Sequence, residues 1–203
     1  MPPPTSVLVI LDVQNDFCAG GALAVPDAEL ILPVINRITP LFRRVIVTQD
    51  WHPLGHVSFA SSHSARCVGD SIAFPWGEQL LWPAHCIAGT AGAALHPGLH
   101  VPPDAVILHK GVHRDVDSYS AFVENDGVTP VGLDGLLRGM AACEIVLAGL
   151  ATDYCVLRTA LDGRRLGYHV AVVEAACRGI GDQQEVAEAW SRMEAAGVRR
   201  IMA

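Results

Sequence analysis

A cysteine at the predicted start of a helix is the first candidate nucleophile. Cys155 follows Gly149 by six residues, where an aliphatic run gives way to a helical pattern. A thiol at a helix N-terminus is favoured as thiolate by the helix dipole, and the preceding turn could direct backbone N–H groups at an oxyanion. A buried structural cysteine is the alternative, because unpaired cysteines are often buried. The spacing by itself leaves both interpretations open.

An aspartate and a lysine also follow aliphatic runs directly. Asp12 comes after Val7–Leu11, and Lys110 comes after Val106–His109. A carboxylate there could take the proton of a thiol, and an ammonium group beside both would hold the negative charge. Lys110 is the only lysine in a chain with thirteen arginines, and because the two residue types are not interchangeable it suggests a specific role. A loop-capping aspartate and a surface lysine are the alternatives.

The triplet Asp50-Trp51-His52 offers two metal ligands on the same side of an extended segment. One distant histidine would complete a site for Zn, Fe or Mn. The candidates for this third position are His56, His63 and His85. Exposed loop histidines are the alternative interpretation.

Composition narrows the class of protein. Apolar residues make up 51% and charged residues 17%, which is typical of a globular chain. The net charge is −7 and no run of Lys or Arg occurs, which argues against a nucleic-acid partner. We predict neither a targeting signal nor a membrane span, because the Pro-rich start is not basic and no apolar stretch approaches about 20 residues. The six cysteines form no CxxC pair, which favours reduced thiols and a cytoplasmic location.

Short aliphatic runs alternate with helix-length patterns along the chain. The predicted strands are Val7–Leu11, Val45–Thr48, Val106–His109, Ile145–Ala148 and Val170–Glu174, with Val198–Met202 as a candidate final strand. The predicted helices are Ala28–Arg44 with Asp27 as N-cap, Cys155–Leu166 before Gly167, and Gln183–Ala196 before Gly197. Continuous apolar strands between helices indicate an α/β fold with a parallel sheet covered on both faces. Ligands bind at the carboxyl ends of such strands, which is where the candidate side chains lie.

One connection between strands is unusually long. Residues 51–105 are rich in Gly, Pro, His, Trp and Ser. A structureless connection of this length is uncommon in a compact domain and tends to be functional. We find no internal repeat or clear boundary, and 203 residues suit one domain. We therefore predict a single domain over residues 1–203 with a functional insertion at about 51–105.

Five segments of the chain resemble, in order, the motifs of the nicotinamidases in the isochorismatase-like hydrolase superfamily. They are DVQNDFCAGGAL from Asp12, DWHP from Asp50 with HVSF from His56, WPAHCIAGTAGA from Trp82, KG from Lys110 with DSYSAF from Asp117, and GLATDYCV from Gly149. One such segment would be suggestive, whereas five in the family's order are highly specific. The resemblance runs from residue 7 to about residue 176.

The resemblance implies a fold and a catalytic group. The fold is a six-stranded, mainly parallel sheet flanked by helices on both faces, a Rossmann-like three-layer sandwich. The catalytic residues would be Asp12 as proton acceptor, Lys110 as charge partner and Cys155 as nucleophile. A cis peptide bond before Ala151 would turn the N–H of this residue into an oxyanion hole beside the N–H of Cys155.

The resemblance also implies one divalent metal ion and a slot for a flat ring. Asp50, His52 and His85 would bind the ion, which is Zn, Fe or Mn. His56 is a ligand in some relatives, and water takes its place in others. The aromatic residues that would enclose a pyridine ring are Phe17, Trp82 and Tyr119.

The implied activity is hydrolysis of nicotinamide, and of pyrazinamide, through a thioester on the cysteine. The products are nicotinate and ammonia, which places the enzyme in NAD salvage. The expected binding partner is the small-molecule substrate. A homo-oligomer is possible as well. A relative with another amide substrate is a second hypothesis. A hydrolase in which the metal activates water and Cys155 is structural is a third. A metal- or redox-sensing module is the non-enzyme hypothesis, and it leaves the convergence of Asp12, Lys110 and Cys155 unexplained.

Overall fold

The computed structural model describes residue 3 and residues 5–202, and it contains a six-stranded sheet in which every ladder is parallel. The strand order is β5-β2-β1-β6-β7-β8. The strands of this sheet are β1 (Ser6–Leu11), β2 (Val45–Asp50), β5 (Val106–Lys110), β6 (Glu144–Leu150), β7 (His169–Arg178) and β8 (Arg199–Ile201). The α/β prediction is confirmed, including the final strand. The single-domain prediction covers 1–203, so residues 1, 2, 4 and 203 of it lie outside the described part.

Helices cover both faces of the sheet, which makes three layers. The α-helices are α1 (Leu32–Ile38), α2 (Leu133–Gly139), α3 (Leu157–Arg165) and α4 (Gln183–Ala195). Alternate β1 residues enter two separate apolar clusters. Leu8 and Ile10 pack with Ile35 of α1, whereas Val9 packs with residues of α2, α3 and α4, including Leu137. Because a strand turns successive side chains to opposite faces, residues 7–11 of this strand must be apolar.

Only the middle part of the first predicted helix is α-helical. Residues Ala28–Ile31 and Thr39–Leu41 are 3₁₀ turns, and only the seven residues of α1 between them are α-helical. Pro40 lies in the last of these segments, where it cannot donate a backbone hydrogen bond. The N-cap prediction for Asp27 is wrong, because its φ is 55° and its side chain caps nothing.

The last helix has a capping box that the sequence prediction missed. Asp182 accepts from the backbone N–H of Glu185, and the Glu185 side chain accepts from the backbone N–H of Asp182. Two backbone donors at the start of the helix are thereby satisfied. α2 was also not predicted, because its seven residues form too short a periodic pattern to separate from a loop.

The long connection is ordered rather than structureless. It contains a two-stranded antiparallel hairpin, β3 (Ser71–Phe74) and β4 (Gly77–Leu80). An isolated bridge between Gln14 and Leu95 ties it to the segment that follows β1, and a bridge between His52 and Ile87 joins two parts of the connection itself. Because Gln14 comes shortly after β1, its bridge brings the connection to the carboxyl edge of the main sheet. In residues 5–202, no helix has both the length and the apolar character that crossing a bilayer requires.

Candidate active site

Four side chains that could take part in catalysis or metal binding meet at the carboxyl edge of the sheet. Asp12 directly follows β1, Asp50 and Lys110 end β2 and β5, and Cys155 lies five residues beyond β6. Asp50 and Lys110 are paired in the β2–β5 register. Since parallel strands end at the same edge, residues far apart in the chain arrive side by side.

Lys110 lies at the centre of this group. Its Nζ is 3.0 Å from the Asp12 carboxylate and 3.4 Å from Cys155 Sγ. It also pairs with the Asp50 carboxylate and donates to the Ser118 carbonyl at 2.9 Å. The Lys110 side chain is 0% exposed, and a buried ammonium group is tolerated only when it is paired and hydrogen-bonded. The only lysine of the chain is therefore not a surface residue.

The Asp12 carboxylate is held with one oxygen directed at the lysine. The Thr48 hydroxyl donates to Oδ1 at 2.6 Å, while Oδ2 is 3.0 Å from Lys110 Nζ. A carboxylate oxygen of Asp12 lies within 4.8 Å of Cys155 Sγ. The backbone of Asp12 has φ 52°, a left-handed conformation that is uncommon outside glycine and recurs at functional sites. This places the carboxylate within reach of the thiol proton.

Burial determines the resting protonation of the group. It raises the pKa of the Cys155 thiol well above its ordinary value, and nearby Lys110 offsets only part of this. Burial also raises the pKa of Asp12. Burial acts to lower the pKa of Lys110, but the carboxylates of Asp12 and Asp50 outweigh it and hold that pKa well above its usual range. The resting thiol is therefore protonated, not the thiolate that its position before a helix predicted.

The turn that carries Cys155 differs from a regular helix start. The Leu150–Ala151 peptide bond is cis, as the resemblance implied, and Thr152–Val156 form a π-helical turn before α3. Gly149 has φ 123°, and a Cβ on it would lie 2.0 Å from the Leu11 carbonyl oxygen. Only glycine permits this approach of β6 to β1. The turn brings the alanine and the cysteine into the lining of one pocket.

Asp50, His52 and His85 form a buried cluster that fits one divalent ion. One ligand atom from each lies within 4.8 Å of the others. The Nε2 atoms of His52 and His85 are 3.8 Å and 4.0 Å from the same oxygen of Asp50, separations that a shared ion about 2 Å from each atom permits. The Nδ1 atoms face the Gly111 and Pro83 carbonyl oxygens at 2.9 Å and 2.8 Å. Such partners fix the ring so that Nε2 faces a metal.

Burial keeps both histidines of this cluster neutral. It lowers the pKa of His52 and the pKa of His85 to about 4 each. A neutral imidazole is the form that binds a metal ion. The donor set therefore fits a divalent ion of intermediate softness.

The other two histidine candidates do not join the cluster with Asp50, although His56 groups with His52 and Asp117. His56 Nδ1 is 2.7 Å from the Ser58 hydroxyl, and its Nε2 is 3.1 Å from the Val116 carbonyl oxygen. His63 Nε2 is 2.7 Å from the Val57 carbonyl oxygen. His56 stacks on His52 at 4.2 Å. Of the three candidates for the third ligand, His85 is therefore the one that the fold brings to the cluster with Asp50.

A pocket opens above the thiol, and all three predicted ring-binding aromatics line it. Trp82 Nε1 donates to the Tyr119 hydroxyl at 3.0 Å, which fixes one wall, and Phe17 lies with its ring centre 5.4 Å from that of His85. The lining consists of Phe17, Leu23, Val25, Asp50, His52, Trp82, His85, Asp117, Tyr119, Ala151, Tyr154, Cys155 and Ile180. Tyr154 and Ile180 were not predicted, because neither is distinguished from a packing residue by its position in the sequence.

Gln14 and Asp16 hold the backbone at or beside two residues of the metal cluster, a role that the sequence did not reveal. The Gln14 amide accepts from Asp50 N and donates to Asp50 O, both at 2.8 Å. Asp16 accepts from the Cys86 backbone N–H at 2.7 Å, next to His85. The only signal in the sequence was that both polar residues follow β1.

Comparison with known proteins places this geometry in one family. The isochorismatase domain model matches residues 6–202. The chain is 45% identical over 194 residues to a nicotinamidase from Acinetobacter baylyi, covering 96% of this chain and 91% of that protein. It is 45% identical over 201 residues to a nicotinamidase from Escherichia coli, covering 96% and 93%.

Solved structures of similar proteins share the fold. A nicotinamidase/pyrazinamidase from Acinetobacter baumanii superposes with TM-score 0.96 at 44% identity, over 100% of this chain and 98% of that one. PnC1 of L. infantum, solved with nicotinate, gives TM-score 0.85 at 37% identity, over 98% and 93%. A pyrazinamidase of Pyrococcus horikoshii, solved with zinc, gives TM-score 0.80 at 30% identity, over 98% and 100%.

Proposed function

The chain belongs to the isochorismatase family, and from this premise we propose that it is a nicotinamidase, an amidohydrolase that converts nicotinamide to nicotinate and ammonia. Identity of 45% to two nicotinamidases over most of the chain supports this substrate. The observation that carries the chemistry is the position of Lys110 Nζ, between the Asp12 carboxylate and Cys155 Sγ beneath one pocket. Pyrazinamide is a second expected substrate.

Cys155 is the proposed nucleophile, and Asp12 is its base. Because the resting thiol is protonated, attack requires that the proton leave the sulfur as the bond to the amide carbon forms. The Asp12 carboxylate accepts this proton. Lys110 stabilises the negative charge on the Asp12 carboxylate before the proton moves, and the charge on sulfur as the proton leaves it. Because Lys110 is buried and close to both groups, its charge interacts with them at a low dielectric, which strengthens the interaction.

The N–H groups of Ala151 and Cys155 are the proposed oxyanion hole. Attack on the carboxamide carbon gives a tetrahedral intermediate with negative charge on oxygen. Each donor that meets this oxygen is worth roughly 2.7–4 kcal/mol. Asp12 then returns its proton to the amide nitrogen, the C–N bond breaks, and ammonia leaves. The product on the enzyme is a thioester of Cys155.

Hydrolysis of the thioester reuses the same groups. Asp12, again a carboxylate, takes a proton from water as the oxygen attacks the thioester carbonyl. Collapse of the second tetrahedral intermediate breaks the C–S bond, and the proton on Asp12 passes to the sulfur. Nicotinate and the resting thiol result.

We propose one divalent ion held by Asp50, His52 and His85. When bound, the ion supplies a Lewis acid for the ring nitrogen and so positions the carboxamide. Zinc is supported by the zinc complex of the Pyrococcus horikoshii pyrazinamidase, and Fe or Mn would suit the same donors. Phe17, Trp82 and Tyr119 are the proposed walls for the ring. A cytoplasmic location and a role in NAD salvage stay predictions that accompany this function.

Ammonia release from nicotinamide tests the proposal. We expect turnover by the wild type, a loss of at least about 1,000-fold in Cys155→Ala, and loss on chelation that added metal restores. A metal hydrolase with a structural cysteine would keep most of its activity in Cys155→Ala. An inactive wild type that is folded and metal-loaded would contradict nicotinamide as substrate.

A further inference from the structure

The segment between β7 and α4 contributes one residue to the substrate pocket. β7 ends at Arg178 and α4 begins at Gln183. Within this connection, Ile180 lines the pocket together with Tyr154 and Cys155. Its half-buried side chain also packs against the apolar cluster that includes Phe17. The position of this short connection therefore affects the shape of the pocket.

Asp153 binds the connection to the turn that carries the nucleophile. Its Oδ1 accepts from the Ile180 N–H at 3.1 Å, and its Oδ2 accepts from the Gly181 N–H at 2.7 Å. Hydrogen bonds to an ionised carboxylate are among the stronger ones in proteins. Asp153 lies two residues before Cys155 in the same π-helical turn. Asp153 thus links Ile180 to the turn that carries the thiol.

The two glycines of the connection let it lie close against its neighbours. A Cβ on Gly179 would lie 2.2 Å from Val186 Cγ2. A Cβ on Gly181 would lie 2.4 Å from Glu185 Oε2 and 2.8 Å from Asp153 Oδ2. The connection is therefore packed between α4 on one side and Asp153 on the other. This packing restricts where Ile180 can be placed.

We propose that Asp153 is a positioning residue that holds Ile180 against the substrate ring, and that Ile180 sets the largest ring the pocket accepts. The inference rests on the proposed amidase function. It assigns Asp153 no proton transfer, because both of its carboxylate oxygens are engaged by backbone N–H groups. The expected substrate class is unsubstituted heteroaromatic carboxamides, with substituted rings excluded by the isoleucine.

Asp182 provides a matched control on the same connection. It is exposed, caps α4 through the Glu185 N–H at 2.9 Å, and does not line the pocket. Asp182→Ala therefore removes a carboxylate–backbone bond of the same kind without releasing Ile180. A purely structural role for Asp153 predicts that the two alanine variants behave alike.

The experiment compares steady-state ammonia release from nicotinamide by the wild type, Asp153→Ala, Asp153→Asn and Asp182→Ala. We expect KM to rise about tenfold in Asp153→Ala, with kcat changed less than about threefold, since one hydrogen-bonded anchor of this kind corresponds to roughly that factor. Asp153→Asn, which keeps one acceptor, should have a KM between those of Asp153→Ala and the wild type. Asp182→Ala should lower the melting temperature and leave KM at the wild-type value.

Ile180→Ala tests the second half of the proposal with nicotinamides methylated at each free ring carbon. We expect kcat/KM for at least one of them, relative to nicotinamide, to rise about fivefold or more over the wild-type ratio. An unchanged ratio for all of them would refute the size limit. An unchanged KM in Asp153→Ala, or an equal rise in Asp182→Ala, would refute positioning. An inactive wild type would instead refute the function itself, before any variant is compared.

Discussion

Lys110 Nζ lies 3.4 Å from Cys155 Sγ, and the lysine side chain is 0% exposed. This contact joins the end of β5 to the turn after β6, two strands that are separated in the sheet by β2 and β1. It places a fixed positive charge beside the sulfur. The lysine therefore acts as a compact buried cation at this point of the site.

Lys110→Arg should lose activity even though the charge is kept. The guanidinium group is planar and larger than an ammonium group, so it cannot contact Asp12, Asp50 and Cys155 from the same buried point. We expect kcat/KM to fall about 100-fold or more, measured by ammonia release from nicotinamide. Exposed Arg138→Lys is the matched control and should keep wild-type activity. Activity of Lys110→Arg within threefold of the wild type would contradict the role given to the lysine.

Asp12→Asn should separate activity from stability. The amide cannot accept the thiol proton, so turnover should fall at least about 1,000-fold. Burial raises the pKa of Asp12, which means that its ionised form is unfavourable in the fold. Lys110 would retain Asp50 as a partner. We therefore expect a melting temperature equal to or above that of the wild type; a fall of more than about 5 °C would show that Asp12 is instead a stabilising ion-pair partner.

The pH profile should have an acid limb that belongs to Asp12. The base must be ionised, so kcat/KM should fall as pH drops through its pKa, which burial raises above 3.8.

The Cys155 pKa is raised above 9.0 by burial, so the thiol should react slowly with iodoacetamide at pH 7 and faster as pH rises. Alkylation is followed by mass spectrometry of the peptide that contains Cys155. Rapid alkylation at pH 6 would indicate a resting thiolate.

His85→Ala and His56→Ala should differ in metal content. His85 belongs to the cluster with Asp50, whereas His56 is hydrogen-bonded to Ser58 and to a backbone carbonyl. We expect His85→Ala to lose the ion during dialysis, with less than about one tenth of an equivalent left by elemental analysis. His56→Ala should retain close to one equivalent. Equal loss from both variants would make His56 a fourth ligand.

Benzamide should be a poor substrate beside nicotinamide. The two amides have the same shape, but benzamide has no ring nitrogen to face the cluster of Asp50, His52 and His85. We expect kcat/KM to be at least about tenfold lower, which corresponds to about 1.4 kcal/mol. The comparison uses metal-loaded wild type and a coupled assay for ammonia. Equal rates would remove the ring nitrogen from the recognition of the substrate.

The sequence was sufficient for the parts of the fold that depend on periodic burial. Residues 7–11 of β1 had to be aliphatic because both faces of the strand are covered, and Gly167 and Gly197 end helices with φ 93° and 80°. Short elements gave no such signal. α2 and the β3–β4 hairpin span only seven and four residues per element, so tertiary contacts decide their structure.

The candidate triad and the metal cluster were proposed from residue types, motif order and position after strands, without any distance. Strand order then brought Asp12, Lys110 and Cys155 together, and the path of the long connection brought His85, rather than His56 or His63, to the cluster with Asp50.

The protonation of the thiol and the identity of the pocket walls were decided only by tertiary structure. The position of Cys155 before a helix favoured a thiolate, but burial raises the thiol pKa and the nearby Lys110 offsets only part of this. Ile180 has the sequence character of a packing residue, and it lines the pocket from a connection that is hydrogen-bonded to Asp153. Sequence records which groups are present at each strand end, whereas desolvation and close packing depend on residues that are distant in the chain.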